Sequence, residues 1–166
     1  ITAGDTQTHW TFQDLSSFLV ESDLYCDKMG VKENVIAIRG DLKGHSQKFF
    51  IFFFEKYPAN QDAFPHYKGK DLKSLKSVAS FPEHTAKVLG MLLEVAERSD
   101  GGKQLKQDAQ TLVKMPQHKE LNADNFKDLF LALVPYLQKE LGASCDANGW
   151  KVFGDSLVKE LRAAGM

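Results

Sequence analysis

The chain has 166 residues, 43% of them hydrophobic and 26% charged, which is ordinary for a single water-soluble domain with a sizeable core. Its longest uninterrupted apolar runs, such as residues 49–54, have six residues, whereas a membrane-spanning helix needs roughly 20. A formal net charge of −1 argues against nucleic acid as the main partner, because proteins that bind nucleic acids usually carry a basic surface.

Charge is spread unevenly along the chain. The first 28 residues carry a net charge of −4 and the other 138 carry +3. This difference predicts an acidic N-terminal extension over residues 1–30, attached to a mildly basic domain over residues 31–166. The extension has an apolar stripe at helical spacing, formed by Trp10, Phe12, Leu15, Phe18 and Leu19. We expect this stripe to pack on the domain or on a second copy of the chain, in a homo-oligomer.

The two cysteines, Cys26 and Cys145, are too few and too far apart for a metal-binding knuckle. They fit either two free thiols or one disulfide between the extension and the domain. Free thiols would suit an intracellular protein and a disulfide an extracellular or coelomic one. The sequence does not choose between these locations.

The first strong element of the domain covers residues 41–57 and contains the run FFIFFF. Its residue types also favour a strand. The segment ends before Pro58, however, and no alternating segment elsewhere offers a strand to pair with. We therefore predict a helix that is buried on most of its sides.

Further helices follow in chain order. Apolar residues at three- and four-residue steps predict a helix over residues 70–98, in which Pro82 would cause a bend just before His84. A shorter helix over residues 105–113 leads into His118. Asn122 is suited to cap a helix that Gly142 ends, and a last helix follows Asp146. The chain is therefore predicted to be all-α.

Common enzyme motifs for phosphate, nucleotide, nucleophilic-serine, zinc-protease and dithiol sites are missing from the chain. The remaining candidates for functional residues are the five histidines of this predicted helical chain: His9, His45, His66, His84 and His118. A single histidine is usually a surface or hydrogen-bonded structural residue. His84 and His118 differ because each lies near the apolar face of a predicted helix among bulky apolar neighbours. Since neutral imidazole is the usual ligand of haem iron, the pair suggests a site for a flat, apolar iron cofactor.

Several short stretches resemble globins and, among globins, the dehaloperoxidase-haemoglobins of terebellid annelids. The matching text is IRGDL at 38–42, KYP at 56–58, LKS at 72–74 or 75–77, HT-KV at 84–88, EVA at 94–96, DA-TLV-M-QH at 108–118, NF--LF-ALV at 125–134 and AGM at 164–166. These matches extend over nearly all of residues 31–166. The 34-residue separation of His84 and His118 also agrees with that family.

The resemblance implies a globin fold of about eight helices around a pocket for haem b. It implies His118 as the iron ligand and His84 as the distal and catalytic histidine. Matching positions would line the pocket: Phe50, Phe53, Phe64, Tyr67, Phe81, Thr85, Val88, Leu92, Leu112, Met115, Phe126 and Leu129. Plain core packing is the alternative for these side chains. Pro82 departs from the family pattern, which has glycine at this position, and it is expected to change the mobility of His84.

Two functions follow from the resemblance. The first is reversible binding of dioxygen, and the second is oxidation of halogenated phenols or related aromatics by hydrogen peroxide, in which His84 would take a proton from the peroxide. Dedicated peroxidases commonly add a distal arginine that stabilises separating charge. The arginines of this chain, Arg39, Arg98 and Arg162, lie outside the distal segment, which favours dioxygen binding. A haem-free helical bundle would leave the aromatic pocket without an occupant.

Overall fold

A computed structural model describes residues 30–99 and 102–166. The described residues form seven α-helices: α1 Val31–Arg39, α2 Leu42–Lys56, α3 Pro58–Gln61, α4 Phe81–Glu97, α5 Gly102–Lys114, α6 Ala123–Leu141 and α7 Ala147–Ala163. Short 3₁₀ helices lie at Leu72–Ser77, Pro116–His118 and Gly142–Ser144. These ranges contain no strand, and the all-α prediction is confirmed. None of their helices is both long and apolar enough to cross a membrane.

The predicted acidic extension, its apolar stripe and Cys26 lie outside the described residues, apart from Gly30. The prediction of one long helix over residues 70–98 is wrong in its first part. Residues 72–77 form a separate 3₁₀ helix, and α4 begins only at Phe81, so that Pro82 lies in its first turn. The first N–H groups of a helix have no partner within it, so a proline there removes no hydrogen bond. Pro82 therefore starts this helix and does not bend it.

The run FFIFFF belongs to α2 and is buried on most of its circumference, as predicted. Phe49, Phe50, Phe53 and Phe54 are each at most 2% exposed. On the same helix, Ser46 is fully buried, and its Oγ lies 3.1 Å from Oγ1 of Thr85 on α4. Because both hydroxyls are buried, this hydrogen bond requires α2 and α4 to pack closely. The two helices together form one wall of the cavity described below.

A buried amide joins the first helix to the last corner of the chain. Asn34 on α1 is fully buried and donates from Nδ2 to the Ser144 carbonyl oxygen at 2.7 Å. Its Oδ1 accepts from the backbone N–H of Asp146 at 2.8 Å and from Nε1 of Trp150 at 3.2 Å. One side chain thus satisfies three polar groups that would otherwise be buried without partners.

The α6–α7 interface depends on a glycine. A Cβ atom added to Gly154 would lie 2.6 Å from Cγ of Phe130, closer than any ordinary van der Waals contact. Phe130 also meets Phe153 edge to face, with ring centroids 5.5 Å apart. The absence of a side chain at Gly154 therefore lets α7 approach α6 closely enough for the Phe130 ring to pack on its backbone.

Candidate haem site

A cavity of about 470 Å³ lies between α2, α4, α6 and the segment that follows α5. Its volume is within the range of about 300–1,000 Å³ that is typical of small-molecule and cofactor pockets. Both His84 and His118 line it. The cavity wall also includes eight of the predicted pocket residues: Phe53, Phe64, Tyr67, Val88, Leu92, Leu112, Phe126 and Leu129. A second cavity, of about 570 Å³, lies between α1 and α7, and the described residues that line it include no histidine.

His118 is held by a turn that breaks away from α5. Met115 has extended backbone, and Pro116 then starts the 3₁₀ helix that carries His118. Nδ1 of His118 lies 2.8 Å from the carbonyl oxygen of Leu112. Because a carbonyl oxygen only accepts, Nδ1 must carry the hydrogen, and in the neutral imidazole Nε2 then keeps its lone pair. Histidines that bind metals commonly donate their other N–H in this way, so His118 is in the tautomer that a metal ligand requires.

His84 lies in the first turn of α4, and its Nδ1 is 2.7 Å from the hydroxyl oxygen of Tyr67. Burial lowers the pKa of His84 below its ordinary value, and the nearby charges of His66 and Lys87 lower it further. Burial also raises the pKa of the Tyr67 phenol. Both groups are therefore uncharged at neutral pH, which suits an apolar cavity.

The remaining predicted pocket residues lie outside the cavity wall. Phe50, Phe81 and Thr85 are fully buried. Phe50 meets Phe64 edge to face at 5.6 Å, and Phe81 meets Tyr67 in the same way at 5.2 Å. The Thr85 hydroxyl donates to the Phe81 carbonyl oxygen at 2.8 Å. Phe50 and Phe81 thus support two residues of the wall from behind, and Thr85 bonds the backbone of Phe81. Met115, the fourth predicted residue outside the wall, is instead next to Gln117, whose Nε2 is 3.5 Å from its sulfur.

The cavity also has lining residues that were not predicted: Asn60, Ala63, Pro65, His66, Met91, Val95, Pro116, Gln117, Glu120, Leu121 and Asn125. Met91 and Val95 continue the helical face of His84 and Val88, so periodicity could have found them. The polar members carry no such signal. Asn125 donates to Oδ1 of Asn60 at 2.8 Å, and this bond between α6 and α3 depends on tertiary packing.

The residues present fit a haem. The wall is mainly aromatic and aliphatic, as a porphyrin face requires. His118 offers a free imidazole lone pair. Its ring is fixed by the bond to Leu112 and by an edge-to-face contact with Phe126, whose centroid is 5.7 Å away.

Comparisons with known proteins show the family to which the chain belongs. The Globin family model matches residues 47–163. Globin CTT-E/E' of Chironomus thummi thummi is 31% identical over 117 residues, which are 68% of this chain and 72% of that globin. Myoglobin of Mustelus antarcticus is 26% identical over 133 residues, which are 77% of this chain and 89% of that myoglobin.

Solved structures show the same fold. Ferric myoglobin of Aplysia limacina superimposes with a TM-score of 0.65 at 18% identity, covering 84% of this chain and 95% of that one. A double mutant of the same myoglobin gives a TM-score of 0.67 at 17% identity, covering 85% and 98% of the two chains. Because the family model spans well over half of the sequence and includes His84 and His118, this chain belongs to the globin family.

Proposed function

We propose that this protein is a haem globin that binds dioxygen reversibly, with haem b held by His118 and with His84 on the opposite face. The bond from His118 to the Leu112 carbonyl carries this proposal, because it leaves a lone pair for the iron. When bound, the ferrous haem would supply the reversible binding of dioxygen. Globin-family membership supports the presence of haem.

The chain's own residues would each contribute to this function. The eight predicted residues of the cavity wall would contact the porphyrin and exclude water, which slows oxidation of the iron. His84 is uncharged and adjacent to the cavity, so one of its ring nitrogens can donate a hydrogen bond to a small ligand. Phe50, Phe81 and Thr85 would keep the wall residues in place from the core side.

Reconstitution tests the proposal. We expect the purified chain mixed with haemin to give a Soret band that stays with the protein through gel filtration. After reduction, admitting dioxygen should change the visible spectrum, and removing it should restore the deoxygenated spectrum. Haemin in buffer alone is the control. A protein fraction without a Soret band, or iron that oxidises completely on the first exposure to dioxygen, would contradict the proposal.

Peroxidase activity is the second candidate. It is favoured by the resemblance to terebellid dehaloperoxidase-haemoglobins and by a neutral imidazole beside an aromatic wall. The arginines argue for modest activity, because each is paired away from the cavity. Arg39 pairs with Glu97, Arg98 with Asp108 and Arg162 with Asp124. Dioxygen binding therefore remains the primary proposal.

Turnover of a trichlorophenol with hydrogen peroxide tests this candidate. If the reconstituted protein is a peroxidase, it should exceed free haemin, and His84→Ala should lower its rate by at least about 100-fold, the lower end for losing a positioned acid–base group. The matched control is His45→Ala, because His45 lies outside the cavity wall, where its Nδ1 is 3.0 Å from the Tyr136 hydroxyl, and its removal should leave the rate unchanged. A rate equal to that of free haemin and insensitive to His84→Ala would eliminate the enzyme hypothesis.

A further inference from the structure

The hydrogen bond between Tyr67 and His84 has a direction that burial determines. Tyr67 is fully buried, and its hydroxyl lies 2.7 Å from Nδ1 of His84. Within residues 30–99 and 102–166 the structure gives this hydroxyl no other hydrogen-bond partner. A buried O–H without an acceptor is strongly unfavourable. The phenol must therefore donate to Nδ1, which acts as the acceptor.

A second tyrosine–histidine pair in the same protein has the opposite direction. The Tyr136 hydroxyl donates to the backbone carbonyl of His45 at 3.0 Å, and Nδ1 of the same histidine is also 3.0 Å from that hydroxyl. Because a phenol has one hydrogen, which the carbonyl receives, Nδ1 of His45 must be the donor. The two pairs consist of the same groups. They differ because the Tyr136 hydroxyl has a second acceptor, the His45 carbonyl, and the Tyr67 hydroxyl has none among the described residues.

We infer that Tyr67 is a positioning residue that keeps His84 in the tautomer with the hydrogen on Nε2. This inference rests on the proposed function and specifies which of the two candidate reactions His84 favours. An Nε2–H group can donate to dioxygen held in the cavity. It has no lone pair with which to bind the iron or to take a proton from peroxide. Tyr67 therefore favours retention of dioxygen over peroxide cleavage and over ligation of the iron by both histidines.

The tautomers can be measured by nitrogen NMR on protein with ¹⁵N-labelled histidine, because a protonated ring nitrogen resonates well upfield of an unprotonated one. The sample is the haemin-reconstituted, reduced protein with carbon monoxide bound, and His84→Gln and His45→Gln assign the signals. We expect Nε2 of His84 to be protonated and Nδ1 of His45 to be protonated. In Tyr67→Phe, the Nδ1–H form of His84 should appear, and dioxygen should dissociate about 3- to 10-fold faster, as expected for the loss of one net hydrogen bond.

Tyr136→Phe is the matched control, since it removes a buried tyrosine hydroxyl that bonds a different histidine. It should leave the His84 signals and the dioxygen dissociation rate unchanged. An unprotonated Nε2 of His84 in the wild type would overturn the inference, as would a Tyr67→Phe protein with wild-type tautomer and dissociation rate. The tautomer is also read before haemin is added, so a failure to bind haem would count against the proposed function alone.

Discussion

Replacing His118 with glycine is expected to lower the protein's affinity for haemin by more than about 100-fold. Even the loss of a group that only hydrogen-bonds a ligating histidine costs about 10- to 100-fold in metal affinity, and this substitution removes the proposed ligand itself. The Leu112 carbonyl would also lose its partner. The measurement is the rate at which haemin transfers from the protein to an excess of a haem-binding acceptor, followed at the Soret band.

Two further samples make this prediction specific. Added imidazole should occupy the space left in His118→Gly and restore the wild-type spectrum, because it supplies the missing lone pair. His66→Gly, which alters another histidine of the cavity wall, should retain haemin like the wild type. If His118→Gly kept haemin and its spectrum without added imidazole, a different residue would have to be the iron ligand.

The second large effect is expected on stability. Asn34→Ala should lower the free energy of unfolding by about 3–5 kcal/mol, because unsatisfied buried polar groups cost about 1–3 kcal/mol each. The substitution leaves the Ser144 carbonyl, the Asp146 N–H and the Trp150 indole N–H without this partner. Urea denaturation followed by tryptophan fluorescence would measure the change.

Asn122→Ala is the matched control for that experiment. Asn122 caps α6 at an exposed position, where its side chain accepts from Asp124 and Asn125. Loss of such a cap costs about 1 kcal/mol, so Asn34→Ala should be clearly the more destabilising substitution. Equal effects of the two would show that the buried amide does not hold α1 to the corner before α7.

Much of the helical frame could be predicted from the sequence because its signals are local. Asn122 and Gly142 flank α6, and Asp146 precedes α7, as expected. The error at Pro82 has a physical cause. A 3₁₀ helix repeats every three residues, so Leu72 and Leu75 occupy one side of it and extend the apolar spacing of α4 backwards. Periodicity alone could not separate the two elements.

The sequence could predict which residue types form the candidate site, but it could predict less well which of them line the cavity and which lie behind its wall. The apolar neighbours of His84 and His118 indicated that these two histidines would line the same cavity. Helical spacing could not decide whether Phe50 and Phe81 would lie in the wall or behind it, since that depends on how neighbouring helices pack. The bond between Tyr67 and His84, which are 17 residues apart in the chain, has no local signal at all. Such partners appear only when the tertiary structure is known.

The close approach of Gly154 to Phe130 has a consequence for sequence change. Any larger residue at position 154 must displace the aromatic ring opposite, and a small residue at position 130 would leave a void beside the glycine. Neither position can therefore vary independently at low cost in stability. The two should evolve as a pair, with the volume gained on one helix matched by the volume lost on the other.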